Sequence, residues 1–157
     1  MAGSKDRTVI LGIGHPDRGD DAVGRAVATR LALDPPEGAV IVASDGNATE
    51  LLDILGEARR VVIIDAALSG AAPGTIRRID INKEPLPPAK FGMSSHGMGL
   101  AEAIELARLF GQLPERCIVF AIEGASFELG EPLTAAVEGT VGAVVERVLA
   151  ELPERVS

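Results

Sequence analysis

Six polar residues stand where an α/β protein would need them for chemistry. Asp20 and Asp21 follow the apolar run and glycine turn of VILGIGHPDRGDDAVG, Asp45 follows AVIVA, Asp65 closes VVIID and Glu123 closes CIVFAIE. His96 stands in SSHGMGL, just before a helical pattern. In an open parallel sheet, ligands gather beyond the carboxyl ends of the strands, so these positions are candidates by placement as well as by type. Asp21, Asp65 and His96 together offer two carboxylate oxygens and one imidazole nitrogen. That donor set suits a borderline divalent ion such as Ni²⁺ or Zn²⁺ and leaves coordination positions open. Each residue also has a plainer reading. Asp20 and Asp21 can start a helix, with Asp20 as its cap and Asp21 in the first turn. Asp65 can cap the next turn, and His96 can be a hydrogen-bonding group beside a helix start. Spacing alone does not join the three, so the fold must.

The elements that would position them alternate. Apolar runs predict strands at Thr8–Ile13, Ala39–Ala43, Val61–Asp65, Thr75–Ile81 and Cys117–Glu123. Four of these lack polar alternation, which suits strands covered on both faces. TIRRIDI instead alternates isoleucine with charge and belongs near an edge, in an antiparallel sense if it pairs there. Between the strands, Val23, Val27 and Leu31 mark one helix, and Leu51, Leu52 and Leu55 a second that Gly56 stops. Leu100, Ile104 and Ala107 mark a third, and Leu133, Val137, Val141, Val144, Val145 and Val148 a last one. The expected fold is a three-layer αβα arrangement: a mostly parallel, twisted sheet of about five strands with helices on both faces. NKEPLPPAKFG, residues 82–92, reads as an exposed loop leading to His96.

With 157 residues and no linker or repeat, the chain is expected to form one domain over 1–157. Hydrophobic residues make up 46% of it, yet no apolar run is long enough to span a bilayer. MAGSKDR has no apolar signal core, and a single cysteine, Cys117, leaves no internal disulfide. A cytoplasmic protein is the natural expectation. The net charge of −8 and the absence of a basic cluster argue against nucleic acid, and a basic peptide would be tolerated better. Gly12 and Gly14 suggest a dinucleotide loop, but the third glycine position is Asp17, so the pattern fails. No serine nucleophile elbow is present, and Cys117 falls within a predicted strand.

GIGHPDRGDDAVG, SDGNATELL, VVIIDA and the segment from SSHGMGLAEAIELARLFGQLPERCIVFAIEG to ASFELGEPLTAAV resemble, in order and spacing, the hydrogenase maturation proteases. The resemblance covers nearly the whole chain. It implies an endopeptidase that removes a C-terminal peptide from the large-subunit precursor of a [NiFe] hydrogenase once nickel has been inserted. The family's metal-contacting residues fall on Asp21, Asp65 and His96, which would serve as both metal ligands and catalytic residues. The nickel would come with the precursor, and no organic cofactor is implied. The same ligands would also serve a non-catalytic, chaperone-like module that holds the precursor without cutting it. Two positions depart from the family pattern: His15 replaces an Asn, and Gly46-Asn47 replaces paired glycines. Both bear on specificity more than on activity.

Overall fold

The computed structural model describes residues 7–87, 90–91 and 99–153. The chain order is β1 (Thr8–Ile13), α1 (Val23–Ala32), β2 (Ala39–Ser44), α2 (Ala48–Glu57) and β3 (Arg60–Leu68). These are followed by β4 (Ile76–Asp80), β5 (Lys90–Phe91), α3 (Leu100–Leu109), β6 (Arg116–Glu123), α4 (Ala135–Glu138) and α5 (Val141–Ala150). The sheet runs β2-β1-β3-β6-β4, with β5 paired to β3. β2, β1, β3 and β6 are mutually parallel, and β4 runs antiparallel along β6. This is the expected three-layer αβα fold, with the TIRRIDI strand at an edge and antiparallel.

Strand order explains the layering. From β1 the chain crosses to β2 on one side, then returns past β1 to β3 on the other. Right-handed crossovers in opposite directions put their helices on opposite faces. α1 and α5 accordingly pack one core, with Ile10, Val62, Ile118 and Phe120 below Val27, Val144 and Val148. α2 and α3 pack the other, with Leu11, Ile63 and Val119 below Leu51, Leu55, Ile104 and Ala107.

Four details depart from the sequence expectations. β2 is an edge strand whose side chains are mostly half-buried or exposed, and among the described residues no strand pairs with its outer side. Within the segment read as loop, Lys90–Phe91 forms a short antiparallel pair with Leu68 and Ala67. Gly56 lies inside α2, which ends one residue later. The last helical pattern is two helices, interrupted at Gly139-Thr140, although the valine stripe stays on one face throughout.

α1 lies very close to the sheet because Gly24 has no side chain. A Cβ there would stand 2.3 Å from the Ile13 carbonyl oxygen and 2.4 Å from that of Ile64. Neither atom can rotate away, since both are backbone. Gly24→Ala is therefore expected to destabilise the fold by about 3 kcal/mol, at the upper end for overpacking. Urea unfolding would measure it; a loss under about 0.5 kcal/mol would show that the helix can lift at little cost.

Candidate active site: paired carboxylates at the sheet opening

β1 and β3 pair as far as Gly12 and Ile64, whereas β3 and β6 continue to Ala67 and Glu123. The sheet therefore opens at Asp65, between the two strands whose connections leave in opposite directions. This is the switch point at which doubly wound sheets bind ligands. Asp65 is not the end of its strand, as the sequence suggested. It is an interior residue of β3 held there by pairing to Ala121, and the strand that ends beside it is β1.

Asp65 is 2% exposed. Its Oδ1 accepts a hydrogen bond at 2.8 Å from the Ala66 N–H. Burial, and after it the neighbouring Asp21 carboxylate, push the Asp65 carboxyl well above the usual range, while the Ala66 N–H works weakly against them. The segment that carries Asp21 packs against β3, which places the two acids at one site. Asp21, 3% exposed, reaches it from the one-turn 3-10 segment Gly19–Ala22 that precedes α1. The His15 N–H donates to its Oδ2 at 3.1 Å. A glycine at position 14 lets the two chain segments close up: a Cβ there would stand 1.9 Å from the Asp21 carbonyl oxygen.

The adjacent acid does something different. Asp20 is fully buried and caps no helix, so the expected N-cap role is overturned. Its carboxylate accepts from the Ala125 N–H at 2.7 Å, the Ser126 N–H at 3.2 Å and the Thr134 N–H at 2.7 Å. The Thr134 hydroxyl adds a further donor within 3.0 Å of either oxygen. Asp20 thus pins the segment after β6 against the turn that carries Asp21. Thr134 was missed by sequence reading. It stands before a helix, where a threonine suggests an N-cap, but its hydroxyl is spent on Asp20 instead.

The other candidates are structural. Asp45 is exposed, and its carboxyl is held below the usual range by the side-chain and backbone N–H groups of Asn47. Asn47 in turn accepts from the Glu50 N–H and caps α2. Glu123 is buried and receives the Ser69 N–H and hydroxyl, closing the loop after β3. The His15 ring turns back on its own loop, where Nδ1 accepts from the Asp17 N–H at 3.2 Å. What touches Asp21 is the backbone of His15, which most other residues would provide equally well. Cys117 is buried in β6, and its thiol is pushed up to about 12, chiefly by burial. It supplies no thiolate at neutral pH.

His96 lies outside the described residues. Among those described, no group of three His, Cys, Asp or Glu side chains is arranged to hold a metal ion. Phe91 pairs with Ala67, two positions beyond Asp65 on the same face of β3, and Leu100 begins a helix packed against that face. The α3 start is closed by the Glu102 carboxylate, which accepts from the Gly99 N–H at 2.9 Å.

A buried carboxylate pair at the switch point of an αβα sheet is the candidate site that this α/β fold defines, and its one thiol lies buried in β6. Residues 27–151 match the HycI family of hydrogenase maturation proteases. The chain is 30% identical over 155 residues to the Hydrogenase 2 maturation protease of Escherichia coli strain K12, covering 94% of this chain and 92% of that protein. It is also 30% identical over 143 residues to the hydrogenase expression/formation protein HupD of Rhizobium leguminosarum bv. viciae, covering 89% and 71%. The solution structure of an endopeptidase from Escherichia coli superposes with a TM-score of 0.76 at 26% identity, over 92% of this chain and 90% of that one. This protein belongs to the hydrogenase maturation protease family, and it is a peptide-bond hydrolase.

Proposed function

We propose that the protein removes the C-terminal peptide of a nickel-loaded [NiFe] hydrogenase large-subunit precursor, using Asp21, Asp65 and His96 to hold the substrate's nickel. The observation that carries this reading is the burial of two carboxylates, Asp21 and Asp65, at the point where the sheet opens between β1 and β3. Burial and the Asp21 charge favour the protonated form of Asp65 in the free enzyme. A divalent cation brought by the substrate would displace that proton and relieve the repulsion. Docking of the metal would then set the scissile bond beside the carboxylates. The chain's own contribution is to orient the peptide and exclude water from the crevice; an acid freed of the metal could polarise the one water that attacks. Family membership supports the partner, and the carboxylate pair supports a site that recognises a metal as part of its substrate. For His96, the support is family membership together with its place in SSHGMGL.

No helix among the described residues is long and apolar enough to cross a membrane. We place the reaction in the cytoplasm, where a net charge of −8 and a single buried thiol raise no difficulty.

Incubation with nickel-loaded precursor should shorten it by its C-terminal peptide, as read by mass. His96→Ala is expected to lower the rate by roughly 10²-fold or more, in the range for loss of an essential ligand or acid–base group. Cleavage of nickel-free precursor at the same rate would sink the nickel requirement. Stable binding without any change in mass would instead mark a chaperone-like module.

A further inference from the structure

The backbone N–H that holds Asp21 belongs to a peptide unit with a second anchor. The His15 N–H donates to Asp21 Oδ2 at 3.1 Å. The carbonyl of the same peptide unit, that of Gly14, accepts from Arg25 Nε at 2.5 Å. A trans peptide is planar, and its C=O and N–H point in opposite directions. Whatever fixes one end therefore fixes the other. Upstream, the Gly14 N–H donates at 2.9 Å to the carbonyl of Ser44, the last residue of β2. The plane between Gly14 and His15 could still turn, because glycine leaves its own backbone angles open. Beyond that plane His15, Pro16 and Asp17 are exposed. The Arg25 bond stops the turn.

Position and charge suit Arg25 to this task. It stands in the first turn of α1, just after the one-turn segment that carries Asp21. One end of one helix thus supplies both the held acid and the side chain that orients its donor. A hydrogen bond from a cation is roughly twice as strong as one between neutral groups. It also polarises the peptide, so that the N–H at the far end becomes a better donor. Arg25 has a plainer role to set against this one. The Asp45 carboxyl, held below the usual range chiefly by Asn47, also feels the Arg25 charge. Asp45 is exposed, however, and an exposed ion pair contributes little.

We propose that Arg25 is a positioning residue for the reaction: through the peptide between Gly14 and His15 it fixes the Asp21 carboxylate where the substrate is received. The proposal rests on the role given to Asp21 in the processing function above. Arg25→Met and Arg25→Leu remove the donor but keep an apolar stem, and Arg25→Lys keeps a cationic donor. Thermal unfolding checks that the variants are folded. The His15 amide resonance in a ¹H–¹⁵N spectrum reads the bond without any substrate. Its proton should move upfield in the neutral variants and return most of the way in Arg25→Lys. With nickel-loaded precursor, the neutral variants should lose roughly 10–100-fold in kcat/KM, as when a group that orients a ligand is removed, and Arg25→Lys should stay within about threefold of wild type. Asp45→Asn should leave the His15 resonance in place and the rate within about twofold of wild type. An unmoved His15 resonance in the folded neutral variants, or a rate within about twofold of wild type there, would overturn the positioning role. So would equal slowing by the neutral and Lys variants, or the same loss in Asp45→Asn. In each of these cases the wild-type enzyme still cuts. Failure of the wild-type enzyme to cut any nickel-loaded precursor would instead overturn the processing function, and the positioning role with it.

Discussion

Asp65→Asn is expected to abolish processing and to make the free protein more stable. The loss of rate should be roughly 10²–10⁴-fold, the range for removing a group that handles a proton or orients the reacting water. The gain in stability follows from linkage. The carboxyl of Asp65 is raised well above the usual carboxylate range by burial and by Asp21. Between the unfolded and folded values, the native chain therefore binds more protons than the unfolded chain, and stability falls as pH rises. Below the unfolded value both states are protonated, and the penalty is absent. Asparagine keeps the shape and an acceptor for the Ala66 N–H but removes this slope. Urea unfolding at pH 5 and pH 7.5 should show the variant ahead of wild type by a margin that grows with pH. A variant less stable than wild type at pH 7.5 would mean that the carboxylate is compensated in the fold and is not a strained site residue. The trade of stability for function is what a buried, repelling acid pair predicts.

Asp20→Ala is the opposite case. Its carboxylate satisfies the N–H groups of Ala125, Ser126 and Thr134 and the Thr134 hydroxyl, all from a segment more than a hundred residues away. Truncation leaves these donors without their acceptor in a site where Asp20 itself is fully buried. At about 1–3 kcal/mol for each unsatisfied buried group, with some recovered by entering water, the expected cost is roughly 3–5 kcal/mol. For a chain of this size that lowers the melting temperature by about 10–15 °C. Differential scanning calorimetry would read it. A shift of less than about 3 °C would show that the loop is held by its backbone contacts alone, such as the Gly19 N–H to the Glu131 carbonyl and the Gly130 N–H to that of Asp17. With the expected shift, the neighbouring acids divide: Asp20 for stability and, on the proposed function, Asp21 for activity.

The fold was largely legible because its signals are local. β1 begins and ends where the apolar run does, at Thr8 and Ile13, and the charged alternation of residues 76–80 marked an antiparallel edge. What sequence misjudged depended on partners. VVIID looked finished at its acid, since aspartate is disfavoured in strands, yet β6 goes on pairing with β3 as far as Ala67. AVIVA looked like a covered strand, yet among the described residues it has no neighbour on its outer side.

The candidate site was legible as a set of residue types placed after strands. Asp21 and Asp65 stand together at the opening between β1 and β3, while Asp45 and Glu123, equally well placed in sequence, are spent on Asn47 and Ser69. Nothing in their own neighbourhoods separates these four. Their sequence determined the order of strands and helices, because the hydrophobic period and the glycine and proline stops act within a few residues. It also determined which acids could reach the working edge of the sheet. Only the tertiary structure decided which of them lie buried together at the sheet opening and which are held by a neighbouring loop. A buried carboxylate takes its character from whatever packs against it, and for Asp20 that is a loop 105 to 114 residues further along the chain.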